Sequence, residues 1–293
     1  MKKNLALLLA LVMCLGMFTA CGSSDDKTPS SATDVPQTPP ASNTDVPEES
    51  EAPEAESDMD YVKANGKLIV GITNFEPMDY KAEGSDEWVG FDADMARLFA
   101  ESLGVDAEFV EITWDYKVME LDSKNIDCVW NGMTLNDEVK AAMSVTDPYC
   151  LNAQVLVMPE GVDFEAVFEG LNIAVESGSA GEDAAIALGA TTIPLQAQSN
   201  ALMEVAAGTA DAAAIDLLMA GAMIGEGTSY EDLTIVMNLN EAQNLESEEY
   251  GVGFRKGSDL VDAFNEFLAE KVADGTVMEI AKTYGLQEAV IVD

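Results

Sequence analysis

One succession of elements occurs twice in this chain, and it leaves few folds open. Residues 67–72, 107–112 and 126–131 are short apolar runs rich in β-branched side chains, which predicts three strands. Between the first two lies a helix over residues 90–104, where Phe91, Met95, Leu98, Phe99 and Ser102 recur on one face. Asp92 and Asp94 suit its positive N-terminal end, and Gly104 suits its stop. Strands alternating with helices imply a parallel sheet with right-handed crossovers. The alternation then returns. Strands are predicted at 154–158, 172–176, 192–195 and 210–215, with an Ala-rich helix after Gly181 and another over 199–207 that Gly208 ends. A further strand at 250–254 and two helices, over 260–273 and 277–284, close the chain. The class is therefore α/β, with two open, mostly parallel sheets joined by two crossing hinge strands. Residues 59–152 plus 250–293 form lobe 1, and 153–249 form lobe 2. Such a pair holds a ligand in the cleft between lobes and closes about the crossings.

The segment from Ile126 to Lys140 locates that cleft. It reads as a buried strand, a turn containing Gly132, and a helix with Asn136 as N-cap and Asp137 and Glu138 in its first turn. A strand end feeding a helix N-terminus is where open α/β sheets hold small ligands.

The N-terminus is of a different kind. Lys2 and Lys3 precede an apolar run from Leu5 to Phe18, followed by Thr19, Ala20, Cys21 and Gly22. This is the layout of a secretory signal over residues 1–20. A Cys directly after small residues looks like a bacterial lipobox, with Cys21 as the lipid anchor; an ordinary signal cut near Ala20 is the alternative. Residues 21–58 are Ser, Thr, Pro, Ala, Asp and Glu with almost no large apolar side chain, the composition of a disordered acidic tether. The chain carries 14 Lys and Arg against 54 Asp and Glu, a formal net charge of −40. That balance argues against nucleic-acid and anionic-lipid partners, leaving the lipid anchor as the membrane contact. Of 4 cysteines, Cys128 and Cys150 would remain in the folded part, where an oxidising compartment leaves pairing open.

Five landmarks in order carry a family resemblance. Gly90-Phe91-Asp92-Ala93-Asp94-Met95, Trp130-Asn131-Gly132-Met133-Thr134, Asp147-Pro148-Tyr149, Gly208-Thr209-Ala210-Asp211-Ala212 with Asp216, and Tyr250-Gly251-Val252-Gly253-Phe254 with Arg255 to Asp259 resemble the family 3 extracytoplasmic solute-binding proteins. These are the substrate-binding lipoproteins of polar amino-acid ABC importers. The resemblance implies the periplasmic-binding-protein type II fold, a monomer on the outer face of the bacterial cytoplasmic membrane, and an ABC permease with its ATPase as partner. It implies no enzyme activity, catalytic residue, metal or cofactor.

Carried over by position, it also implies a site. Phe75 and Trp114 would sandwich the ligand's side chain, unless they are core. Asn131, Gly132, Met133 and Thr134 form the ligand-gripping arm, the Gly132 carbonyl and Thr134 hydroxyl taking the α-ammonium and α-carboxylate. Asp216 would add a charge-assisted bond from lobe 2, or else cap a helix. Ser179 and Ala180 lie on a Gly-rich turn whose backbone N–H groups can hold an anion, or which is merely tight.

Two positions depart from the family. Val139 stands where an arginine clamps the ligand's carboxylate, and Glu176 stands where a basic or apolar residue is frequent. Neither Arg97 nor Arg255 is an evident replacement, and Lys140 lies about 100° round the helix from Val139. The inferred cleft then holds two acids, two aromatics and no assured base. The ligand is either an amino acid held without the arginine or a cation with no carboxylate, such as an amine or guanidine. The rival from another class is a cleft enzyme using Glu176 as acid or base. The sequence has 0 His, which excludes a Ser-His-Asp triad and any His-containing metal site. A tethered sensor reporting to another protein is the third possibility.

Overall fold

A computed structural model describes residues 57–292. The signal segment, Cys21 and the tether up to residue 56 lie outside the described residues. In chain order the first part comprises α1 (Asp58–Asn65), β1 (Lys67–Ile72), the ribbon β2 (Tyr80–Lys81) and β3 (Trp88–Val89), α2 (Phe91–Leu103), β4 (Asp106–Glu111), α3 (Lys117–Asp122), β5 (Cys128–Thr134), α4 (Asp137–Ala142), β6 (Ser144–Val145) and β7 (Cys150–Asn152). The second comprises β8 (Gln154–Pro159), β9 (Asn172–Glu176), α5 (Ala180–Ala187), β10 (Thr191–Leu195), α6 (Gln198–Ala206), β11 (Ala212–Asp216), α7 (Leu217–Met223), β12 (Leu233–Asn238) and α8 (Leu239–Ala242). The chain ends with β13 (Glu248–Phe254), α9 (Leu260–Ala273) and α10 (Thr276–Thr283).

Two sheets result, in the two-lobed type II arrangement. One runs β4-β1-β5-β13-β6 with β7 on β13, and the other runs β10-β9-β11-β8-β12. In each, three neighbouring strands are parallel: β4, β1 and β5 in the first, β10, β9 and β11 in the second. Helices supply the crossovers, as alternating sequence patterns require. The remaining strands run antiparallel. The chain leaves the first sheet through β7 and re-enters it through β13, and these pair from Glu248 opposite Asn152 to Tyr250 opposite Cys150. The two crossings therefore lie side by side.

Two features differ from the sequence reading, and a third settles a point that the sequence leaves open. The tether was expected to reach residue 58, yet Ser57 and Asp58 belong to the folded body. The Ser57 hydroxyl caps α1 by accepting from the Asp60 N–H at 3.0 Å, and Asp58 pairs with Arg255 at 2.8 Å. A cap and a buried ion pair outweigh composition there. Arg255 also pairs with Asp127 at 3.1 Å and donates to the Ile126 carbonyl, so it braces lobe 1. Second, β5 does not turn at Gly132 but runs to Thr134. β13 pairs with it on both sides of a register shift, Gly253 facing Val129 and Gly251 facing Met133. That ladder continues the strand past a local bulge. Third, Cys128 and Cys150, whose pairing the sequence leaves open, are both buried free thiols.

Candidate functional site

The cavity between the two sheets has a volume of about 110 Å³. From lobe 1 it is lined by Trp114 to Val118 (except Tyr116), by Asn131 to Thr134 of β5 and by α4; from lobe 2, by Glu176, the turn Gly178 to Ala180, Asp183, Gln198 and Asp216. Glu176 and Asp216 end parallel strands, so the cavity sits at strand termini, where such sheets present side chains to a ligand.

The lobe 1 wall is an outcrop of core. Trp114, Met133 and Val139 belong to one buried cluster with Ile112, Leu121, Val129 and Met143. Asn136 caps α4 by accepting from the Val139 N–H at 2.9 Å, and the buried Val139 side chain faces this cluster and the cavity. Three polar groups of β5 are already engaged. Asn131 accepts from the Thr73 N–H at 2.9 Å and donates to the Thr73 hydroxyl at 2.8 Å. The Gly132 N–H donates to the Asp92 carboxylate at 2.7 Å, which also accepts from Tyr149 at 2.8 Å. The Thr134 hydroxyl donates to Glu248 at 3.0 Å, tying the arm to the returning hinge strand.

Gly132 is a position only glycine fits. Its φ is +55°, and a Cβ there would come 2.5 Å from the Phe75 ring. The same close approach explains a displaced aromatic. Phe75 is 1% exposed, packs edge-on to Tyr250 at 6.4 Å, and does not line the cavity. The expected aromatic sandwich is thus not brought together: Trp114 is at the wall, while Phe75 lies against the backbone of β5 in the core.

The lobe 2 wall is polar. Ser179 caps α5, its hydroxyl accepting from the Glu182 N–H at 3.1 Å, and Ala180 opens that helix beside it. Asp216 precedes α7, but its side chain makes no capping bond. Instead its carboxylate accepts from Tyr250 at 2.6 Å, from Gln154 at 2.9 Å, and from Asn152 and Gln198. Burial, then the charge of Glu248, pushes Asp216 up to about 7 against these donors. Glu176 is 2% exposed, and its Oε1 has no hydrogen-bond partner among the described residues. Burial and the nearby Asp216 charge raise it to about 8, opposed by Thr73, Lys117 and Gln198. Asp92, behind the arm, is likewise raised by burial to about 7.

The structure also brings in residues the sequence reading missed. Asp115, Glu138 and Asp183 add carboxylates to the wall, Gln198 grips Asp216, and Lys117 is, among the described residues, the one basic group lining the cavity. The sequence leaves the cleft with no assured base, and the structure places Lys117 there. Lys117 follows Trp114 by three residues, a spacing that places both on one side of a helical turn. Its ammonium lies 4.8 Å from the Trp114 ring centre, and burial lowers its pKa against the pull of the surrounding acids. Gln198, far away in sequence, left no comparable signal. Chemically, this chamber offers an aromatic face, an acidic pole at Glu176 and Asp216, and one ammonium.

The sequence profile of the bacterial extracellular solute-binding proteins, family 3, matches residues 68–287. The arginine-binding extracellular protein ArtP of Bacillus subtilis is 26% identical over 97% of this chain and 98% of its own length. The L-cystine-binding protein TcyJ of Escherichia coli is 27% identical over 76% of this chain and 84% of its own. Among solved structures, a mutant of the arginine-binding protein ArgBP from T. maritima superposes with a TM-score of 0.71 at 30% identity, over 78% of this chain and 99% of that one. An ancestral amino acid-binding protein described as a precursor of cyclohexadienyl dehydratase gives 0.68 at 28% identity, over 78% and 99%. The match to the family profile spans most of the chain, and the two-lobed fold agrees with it: this protein belongs to the bacterial extracellular solute-binding proteins of family 3.

Proposed function

We propose that this protein captures a small amine-bearing solute, an amino acid, between its lobes and delivers it to an ABC permease and its ATPase. The observation that carries this reading is Glu176: a buried carboxyl with an unpartnered oxygen, in a cavity also lined by Asp216. A buried polar atom without a partner is costly, and a ligand ammonium would satisfy it with a charge-assisted bond. The relatives' arginine and cystine ligands support an amino acid. Closure about the paired β7 and β13 brings Asp216 and Glu176 onto a ligand resting on the lobe 1 wall. A second reading, a cation without a carboxylate, draws on one feature: Val139 presents an apolar surface where the family clamps a carboxylate.

The test is a thermal-shift screen over amino acids, polyamines and quaternary amines, followed by recovery of the ligand. A bound solute at a hundredfold excess over Kd stabilises by about 2.7 kcal/mol. Recovery of the ligand unchanged supports a receptor, whereas turnover would make the cleft an enzyme. The Cys21 thiol anchors the protein by lipidation in this proposal. Cys21→Ser is expected to release it from the membrane fraction, and retention with the signal removed would refute the anchor.

A further inference from the structure

Two groups in the cavity are open and complementary: a buried carboxyl with an unpartnered oxygen, and an ammonium whose hydrogen bonds go to neutral acceptors. Glu176 presents the unpartnered Oε1. Lys117 opens α3 and reaches into the cleft, where its ammonium donates to the Gly178 carbonyl at 3.1 Å and to the Trp114 carbonyl at 3.4 Å. Both acceptors are neutral. Asp115, Glu138, Glu176 and Asp183 surround Lys117, yet among the described residues it forms no ion pair with any carboxylate. An ammonium has three donors, so one remains for an anion.

We propose that Lys117 is the anchor for the ligand's carboxylate, replacing the clamp that Val139 cannot form, while Glu176 takes the ammonium of the same molecule. This rests on the cleft reading above and narrows it: the solute is a zwitterion. Lys117 and Val139 line the same cavity from adjacent segments of lobe 1, so the charge has moved from α4 to the start of α3. A carboxylate beside Lys117 would be held by a point charge rather than a bidentate fork, with looser demands on its orientation. A ligand carrying amines alone would meet Lys117 as a like charge. The five acids on the wall, Asp115, Glu138, Glu176, Asp183 and Asp216, against one lysine favour an amino acid whose side chain carries further positive charge.

The test compares each amino acid with its decarboxylated amine, by calorimetry on the purified chain. The pairs are L-arginine with agmatine, L-lysine with cadaverine, and L-histidine with histamine. The wild type is expected to bind at least one amino acid about 10- to 100-fold more tightly than its amine, the worth of one hydrogen bond to a charged group. Lys117→Met is expected to remove that preference by weakening the amino acid alone, and Lys117→Arg to retain it. Val139→Arg placed in the Lys117→Met background should restore it. A preference that survives Lys117→Met, equal weakening of both members of a pair with Lys117→Arg no better, or a wild type preferring amines would overturn the assignment. Binding of no probe by the wild type would remove the amine-receptor reading itself, and the assignment with it. Unfolding midpoints of the variants separate lost recognition from lost folding.

Discussion

The two walls of the cleft are built on opposite principles. Lobe 1 presents Trp114, Met133 and Val139 as the cavity-facing edge of its own buried apolar cluster, and the Asn131 and Thr134 side chains of β5 are spent on holding the strand in place. Lobe 2 presents carboxyl groups, of which Asp216 is saturated by neighbours and Glu176 is open on one oxygen. Apolar shape therefore resides on the first wall and the buried carboxyls on the second, with Asp115, Lys117 and Glu138 as the charged groups that lobe 1 adds. An apolar wall leaves no hydrogen bond unmade when it is empty. A buried carboxyl does, and it is held there largely as the acid until a cation arrives.

The largest effect should come from Asp216→Ala. It removes the acceptor of four side chains as well as a charge at the cavity, so amine affinity should fall by more than about a hundredfold and stability should also drop. Near-wild-type affinity in calorimetry would break the contrast between the walls. Glu176→Gln is more selective. It should weaken an amine ligand about 10- to 100-fold while leaving the unliganded protein at least as stable above neutral pH, because no buried charge then has to form. Equal losses of binding and stability would mean that Glu176 serves packing.

The smallest effect is the pH dependence of the unliganded protein. Glu176, raised to about 8, and Asp216 and Asp92, each raised to about 7, bind protons more tightly folded than unfolded. Their contribution to stability is full below the unfolded carboxyl pKa of about 4 and is lost as pH rises through 7 to 8. Unfolding midpoints should accordingly decline over that window, less so in Glu176→Gln. A flat or rising profile would show that these groups are ionised in the empty cleft. Binding of a cation should release protons, which calorimetry in buffers of different ionisation enthalpy detects.

Much of the framework could be read from local pattern. The strand β1 and the helices α2 and α9 lie at or within a residue or two of their expected bounds, because apolar periodicity and terminal glycines are local signals. The arm from Asn131 to Thr134, Val139, Glu176, Ser179, Ala180 and Asp216 line one cavity. What failed was pairwise. Phe75 was placed at the ligand by position along the chain, but the missing side chain at Gly132 admits its ring to the core. Lys117 and Gln198 escaped notice because their importance depends on partners, Gly178 and Asp216, supplied by the other lobe or by another strand.

The amino-acid sequence by itself determined the α/β alternation, its duplication, the family and the departure at Val139, since these follow from side-chain order along the chain. Only the tertiary structure decided which charges lack partners in the cleft. A carboxyl or an ammonium is satisfied or left open by groups remote in sequence, and the packing of two lobes sets which of them meet.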